Sequence, residues 1–206
     1  MSNQRRDGVA CRPAVAADSS DLAILADAAT RRLVSWIWDS ATQIGQSSFE
    51  VGRNTIHSDI ASLNHFTRWR VAERNGTVAG ATNGYHLVPD HSPNPGSDQG
   101  PLAPLTELKA IASDTWYVSV ASVFAEFRNQ GVGRVLLADT EKVASAAGVT
   151  RLTLIVASFN PSAKRLYEQI GFAEWKRRPF HPFPGSNEAG DWILMFKDLP
   201  AGRLDS

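Results

Sequence analysis

The stretch from Tyr117 to Phe172 constrains the fold more than any other part of the chain. It reads as strand, glycine turn, helix, strand, helix. Trp116 to Phe124 is a mostly apolar strand. The turn Arg128-Asn129-Gln130-Gly131-Val132-Gly133 follows it. The spacing predicts a helix over Gly131 to Ala147, with Val132, Leu136, Val143 and Ala147 on one face. Gly148 is placed to end that helix as a left-handed cap. Arg151 to Ala157 is the next strand. Asn160-Pro161 then joins an N-cap to a proline at the first helical position, and Gly171 closes the second helix.

The chemistry of the glycine turn follows from its position. Gly131 and Gly133 let the backbone approach a ligand closely. The first turn of the helix adds unpaired N–H groups and the positive end of its dipole. Together they suit a phosphate or pyrophosphate, although such a turn also serves as a plain tight connection. The dinucleotide pattern GxGxxG fails at Leu136, and a Walker loop fails because Arg134 follows Gly133. Locally, Arg128, Arg134, Lys142, Arg151, Lys164 and Arg165 outnumber Glu126, Asp139 and Glu141. The chain as a whole has 21 basic and 21 acidic residues, so no global field draws it to nucleic acid or to an anionic membrane. Cys11 is the sole cysteine, which excludes an internal disulfide and a cysteine zinc cluster. His57, His65, His91 and His181 form no metal-ligand spacing with any carboxylate, and no metal is expected. The N-terminus lacks the apolar run of a signal peptide, no run is long enough to span a membrane, and a cytoplasmic location is expected.

The remaining elements are read in chain order. Residues 1–8 are expected to be disordered and 200–206 to be a frayed tail, around one domain over 9–199. Val9 to Val15 is a short strand. Asp18-Ser19-Ser20 caps a helix whose apolar continuation, Leu33 to Trp38, holds Trp36 and Trp38. Ser47 or Ser48 starts a helix through about Leu63. Phe66 to Glu73 alternates like a strand, Asn75-Gly76 is a hairpin signal, and Thr77 to Val88 returns. Gly80 and Gly84 in that strand predict a bulge or a close approach. Residues 89–114 read as a loop insertion with a helical turn at Glu107 to Ala112. Phe172 to Arg178 and Asp191 to Lys197 are strands around a loop from His181 to Gly190.

Arg128-x-x-Gly131-x-Gly133 after an apolar strand, then Asn160-x-x-Ala163-x-x-Leu166-Tyr167-Glu168-x-x-Gly171-Phe172, resembles the Gcn5-related N-acetyltransferase (GNAT) family. Arg12-Pro13-Ala14 with Asp18 before a helix is also common there. The motifs cover about the C-terminal half, and the order of elements covers nearly the whole chain. The resemblance implies an α/β (α+β) fold: a mixed, mostly antiparallel sheet flanked by helices, in sequential strand order, with two central parallel strands splayed apart. It implies acetyl-CoA, or another acyl-CoA, as donor. Its pyrophosphate would be held by the backbone of Arg128, Asn129, Gln130, Gly131, Val132, Gly133 and Arg134. Its pantetheine arm would lie between the strand ending near Val123 and the strand Leu152 to Val156, meeting Asn160 and Ala163. The acyl carbonyl would lie near the N–H around Val123. Tyr167 would be the general acid that protonates the leaving thiolate. One departure is Phe124-Ala125, where many relatives have proline at the second position.

The expected function is therefore acetyl-CoA-dependent N-acetyltransfer to the primary amine of a small-molecule acceptor. The mechanism is direct attack in a ternary complex, because Cys11 lies outside the motif. The alternative is a non-catalytic acyl-CoA-binding or sensing module. Glu126, His86, Tyr85 and Asp114 are the candidate bases, with no spacing to choose among them. The acceptor side falls to the Trp36/Trp38 helix end, residues 44–60, the 89–114 insertion and the 181–190 loop. Trp36, Trp38, Phe49, Phe180 and Phe183 point to an apolar or aromatic acceptor, with core packing as the competing reading for the tryptophans. The sequence is compatible with a homodimer.

Overall fold

The computed structural model describes residues 8–89 and 100–200; the expectations for 1–7, 90–99 and 201–206 lie outside them. The strands are β1 (Ala10–Pro13), β2 (Trp69–Arg74), β3 (Thr77–Leu87), β4 (Thr115–Val123), β5 (Arg151–Ala157), β6 (Ala173–Pro179) and β7 (Asp191–Asp198). The α-helices are α1 (Ser19–Thr30), α2 (Leu33–Asp39), α3 (Ser48–Ser58), α4 (Ala103–Ile111), α5 (Val132–Ala146) and α6 (Pro161–Gln169). The strands form one seven-stranded sheet ordered β1-β2-β3-β4-β5-β7-β6. β4 and β5 are parallel, pairing Trp116, Tyr117 and Val118 with Leu152, Thr153 and Leu154. The pairs β1–β2, β2–β3, β5–β7 and β6–β7 are antiparallel. This is the mixed, mostly antiparallel sheet that the sequence implies.

The sequential strand order is corrected at its end, where β7 lies between β5 and β6. Ile193, Leu194 and Met195 of β7 are fully buried, so both faces of that strand are covered. β6 is exposed along nearly all its length and carries Glu174, Lys176, Arg177 and Arg178. A charged, exposed strand suits a sheet edge, where it also discourages pairing with other chains.

The chain packs as two compact units. The first runs to Asn83 and resumes over Val120–Thr140. Neighbouring residues of β2 point to opposite faces of the sheet. Val71, with Ala81 and Val120, packs on Leu22 and Leu25 of α1 and Ile56 of α3. Ala72, with Ala79, packs on Val132 and Leu136 of α5. A bulge leaves Ala79 unpaired on β3, between the pairs Ala72↔Gly80 and Glu73↔Val78. The freed Ala79 carbonyl accepts from the Phe124 N–H at 3.0 Å. A Cβ on Gly80 would lie 2.5 Å from the Ser122 carbonyl oxygen, so both the bulge and the close approach expected there are present.

Three boundaries in this unit differ from the expectation. The first helix breaks at Arg31 and Arg32, both left-handed, with φ of 52° and 72°. The break turns α2 so that Leu33 and Trp38 are buried. α3 opens with the capping box Ser47/Glu50 but stops at Ser58 instead of near Leu63. Beyond it, the Asp59 carboxylate accepts from Ala61 N–H and the Ser62 hydroxyl from Asn64 N–H. Such local side-chain bonds offer the backbone an alternative to helix. β2 begins at Trp69, because Phe66–Arg68 forms a 3-10 turn.

The second unit takes Gly84–Ser119 and everything from Glu141 onward. Its core is built on Leu152 and Leu154 of β5 with Ile193, Leu194 and Met195 of β7. The expected 89–114 loop insertion is corrected here: α4 occupies Ala103–Ile111. Pro104 lies in its first turn, where a missing N–H costs nothing. Leu108, one turn later, is fully buried, and α4 packs against β6 and β7. A Cβ on Gly84 would meet the Trp116 indole nitrogen at 2.5 Å, the close approach expected at that glycine. Among the described residues, no helix is long and apolar enough to cross a membrane.

Candidate active site

The first unit carries Val123 and the glycine turn. After β4, residues Ala125–Phe127 make a 3-10 turn, and the chain then reverses through two left-handed residues. These are Asn129 at φ 60° and Gly131 at φ 82°. Asn tolerates that region and Gly favours it, which explains this residue choice. Three side-chain bonds tie the turn down. Arg128 Nε donates to the Val123 carbonyl at 3.1 Å. Gln130 Nε2 donates to the Glu126 carbonyl at 2.7 Å, and Arg74 donates to Gln130 Oε1.

α5 begins directly behind this turn. Val135 N–H reaches the Gly131 carbonyl at 3.1 Å. The amides of Val132 and Gly133 are therefore in the first turn of the helix, ahead of its first internal hydrogen bond. No acidic residue lies in that first turn to compete for them. Val132 is buried while Arg128 to Gly131 are exposed, so the helix start is anchored from behind and open in front. Farther along α5, Asp139 holds Arg70 at 2.6 Å. A helix start that is open in this way has the form that suits an anion.

The second unit carries Asn160, Ala163 and Tyr167. Asn160 Oδ1 accepts from Ala163 N–H at 3.3 Å, which makes it the N-cap of α6 as expected. The spacing of α6 buries Tyr167, which is 9% exposed, with its ring centroid 5.9 Å from that of Phe172. Burial pushes the Tyr167 phenol up to about 12. It remains a proton donor at any ordinary pH.

All three tyrosines of the chain belong to this unit. Tyr117 of β4 lies edge-on to Tyr85 of β3, with centroids 5.8 Å apart. Burial, then the neighbouring Tyr85 and Tyr167, push the Tyr117 phenol still higher. Lys109 of α4 extends its ammonium to 5.4 Å from the centre of the Tyr117 ring. Burial lowers the Lys109 pKa, because its charge is desolvated. The sequence carries no signal for Lys109, since a single lysine in a short, partly apolar helix reads as solvent-facing.

The other candidates are distributed as follows. His86 Nε2 and Asp114 Oδ1 bond to each other at 3.0 Å in an exposed position. Tyr85 is buried, and Glu126 is exposed in the 3-10 turn. Trp38 is buried, lying against Gly52 of α3. Phe180 and Phe183 are buried with Trp192 and Phe159, at centroid distances of 5.1 to 6.1 Å. These three rings serve as packing. Phe49 is 40% exposed and Trp36 is partly buried. Among the described residues, no group of three or more His, Cys, Asp or Glu side chains is arranged to hold a metal ion.

A model of the acetyltransferase (GNAT) family matches residues 30–172. A thialysine N-ε-acetyltransferase from Bos taurus is 33% identical over 98 residues, which is 45% of this chain. The aligned region spans 58% of that relative's length. Among solved structures, an acetyltransferase superposes with a TM-score of 0.63 at 22% identity, covering 93% of this chain and all of that one. The PaiA N-acetyltransferase from Thermoplasma acidophilum, solved in complex with coenzyme A, superposes at 0.54 and 16% identity over 93% of this chain and 99% of its own. At these identities the solved structures establish the fold.

Proposed function

The chain belongs to the acetyltransferase (GNAT) family, and on that premise we propose that it transfers an acetyl group from acetyl-CoA to the primary amine of a small-molecule acceptor. The observation that carries this reading is Tyr167: buried, held protonated, and at the position where the family motif has its acid. The bovine relative, named for acetylating thialysine at its ε nitrogen, supports a small amine as acceptor.

Acetyl-CoA supplies an activated acetyl thioester. The amides of Val132, Gly133 and Arg134, with the turn from Arg128, hold its pyrophosphate without an opposing acid. The Val123 N–H serves as the preorganised donor for the oxyanion that develops on the acyl carbonyl. Tyr167 gives its proton to the departing sulfur, and Asn160 and Ala163 meet the pantetheine arm. The neutral amine attacks directly: its nitrogen gains the carbon–nitrogen bond as the carbon–sulfur bond breaks, and the one proton it releases passes to solvent, from which Tyr167 regains the proton it gave to sulfur.

The test is release of free thiol from acetyl-CoA over a panel of primary amines, with products identified by mass. The expected result is amine-dependent release with one acetyl group gained per acceptor. Thermal stabilisation by acetyl-CoA with no release for any amine would favour the sensing module. Absence of both would overturn acetyl-CoA as the ligand.

A further inference from the structure

β2 runs along α5 like a brace and ends at the glycine turn. Alternate residues of a strand share a face, and Arg70, Ala72 and Arg74 follow that rule. Arg70 Nε and Nη2 grip the two carboxylate oxygens of Asp139, at 2.6 and 3.1 Å. Ala72 packs on Val132 and Leu136. Arg74, at the hairpin end of the strand, donates to Gln130 Oε1. The opposite face carries Glu73, whose carboxylate is held by Arg12 at 2.8 Å. Among the described residues, no carboxylate forms an ion pair with Arg74, and its guanidinium is given to Gln130.

The mount of Arg74 is stiff. It is the last residue of β2 and pairs with Thr77 across a two-residue turn. Asn75 and Gly76 in that turn are both left-handed, with φ of 52° and 77°, as a type I′ hairpin requires. Ala72, on the same face, is fully buried. Gln130 is held at its other end as well, since its Nε2 donates to the Glu126 carbonyl at 2.7 Å. Its side chain therefore bridges the end of β2 to the 3-10 turn after β4. Gln130 stands between Asn129 and Gly131, the two left-handed residues of the glycine turn. Fixing a side chain between them restrains the peptide planes on both sides. A glycine turn without such a tie samples many conformations, and ordering it on binding lowers affinity.

We propose that Arg74 is a positioning residue for the cofactor: acting through Gln130, it holds residues 128–131 in the shape that acetyl-CoA meets, so that binding does not have to order the turn. This rests on the acetyltransferase reading above and gives that site a residue outside its motif. Arg74 lies 56 residues before Gln130, so no motif spacing links the two.

The experiment is a double-mutant cycle read by calorimetric affinity for acetyl-CoA, over wild type, Arg74→Met, Gln130→Met and the double variant. Arg74→Lys and Arg70→Met are measured beside them, with melting temperature as the control of folding. Arg74→Met should weaken acetyl-CoA binding about tenfold, the scale of one hydrogen bond to a charged group, and should raise KM for acetyl-CoA far more than it lowers kcat. In the Gln130→Met background the same change should cost less than about twofold, because the tie is already cut. Arg74→Lys keeps a donor for Gln130 and should retain part of the affinity. Arg70→Met removes a bond of the same strand about two helical turns farther along α5, so it should lower the melting temperature and leave the affinity within about twofold. Unchanged affinity in Arg74→Met, or an equal loss in Arg70→Met, would overturn the positioning role. A loss of the same size in both backgrounds would mean that Arg74 meets the cofactor directly, which overturns it too. If the wild type binds no acetyl-CoA, the acetyl-CoA reading fails, and amide NMR order parameters of residues 129–131 decide the tie separately. A fall from about 0.85 in the wild type to below about 0.6 in Arg74→Met supports it, and equal values end it.

Discussion

At Tyr167 the fold keeps a phenol dry and protonated, with burial pushing it up to about 12. The sign is simple: an acid with a raised pKa keeps its proton over the whole working range. The kcat profile should therefore show no fall from loss of this proton below about pH 10, the ordinary tyrosine value. A descending limb near pH 8 that disappears in Tyr167→Phe would contradict the raised pKa of this phenol. Asp18 carries a different prediction. Burial alone would push its carboxyl up, but hydrogen bonds from Arg12 and the Val15 amide, with the charge of Arg12, hold it below the usual value. Arg12 grips both Asp18 oxygens, at 2.7 and 2.9 Å. A depressed carboxyl contributes stability that is present above its unfolded pKa and lost as pH falls through the folded one. Asp18→Asn should cost about 1–3 kcal/mol at neutral pH, and urea unfolding should show the difference shrinking below about pH 4. The place of Tyr167 on α6 was legible from the helical spacing; Asp18 was read as a helix cap, whereas its carboxylate makes no cap bond to α1 and turns to Arg12 and the Val15 amide. The contact of Lys109 with the Tyr117 ring was not legible, because no spacing links the two residues in sequence.

Glycines test the elements most sharply. Gly131 has open space around its Cβ position, so its requirement is conformational: φ is 82°. Gly131→Val should strain the turn by about 1–2 kcal/mol. It should also weaken acetyl-CoA binding at least tenfold by crowding the amides at the start of α5, as read by calorimetry. Unchanged affinity would rule out a cofactor held at this turn. Gly52 is the opposite case, since a Cβ there would lie 2.4 Å from the Trp38 ring. That ring is large, rigid and buried, so Gly52→Ala should lower stability by about 1–3 kcal/mol in a thermal or urea melt. Periodicity and capping residues made α3, α5 and α6 legible, including the Asn160 cap. The break between α1 and α2 was hidden because two arginines, not a glycine, take left-handed angles there. α4 was shortened in the reading because the prolines before it suggest irregular chain. In the structure the helix runs over Ala103–Ile111, with Leu108 buried.

Over the whole molecule, the sheet order turns on a contrast between two neighbouring strands. The sequence distinguishes an apolar β7 from a charged β6, and that contrast alone favours β7 inside and β6 at the edge. A sequential reading follows chain order and misses it, because strand position depends on burial that only the assembled sheet reveals. The parallel β4–β5 pair, the glycine turn and Tyr167 were legible because each is a local signal in fixed sequence order. The segments expected to form the acceptor side share no spacing, so the sequence had no comparable signal there. The account as a whole is tested most directly by the turnover of wild-type and Tyr167→Phe protein with acetyl-CoA and a primary amine, with acetyl-CoA affinity measured on the same samples. Loss of a general acid should lower kcat by about 10²- to 10⁴-fold and leave acetyl-CoA affinity within a few-fold. Unchanged turnover, or equal losses of turnover and affinity, would contradict the account.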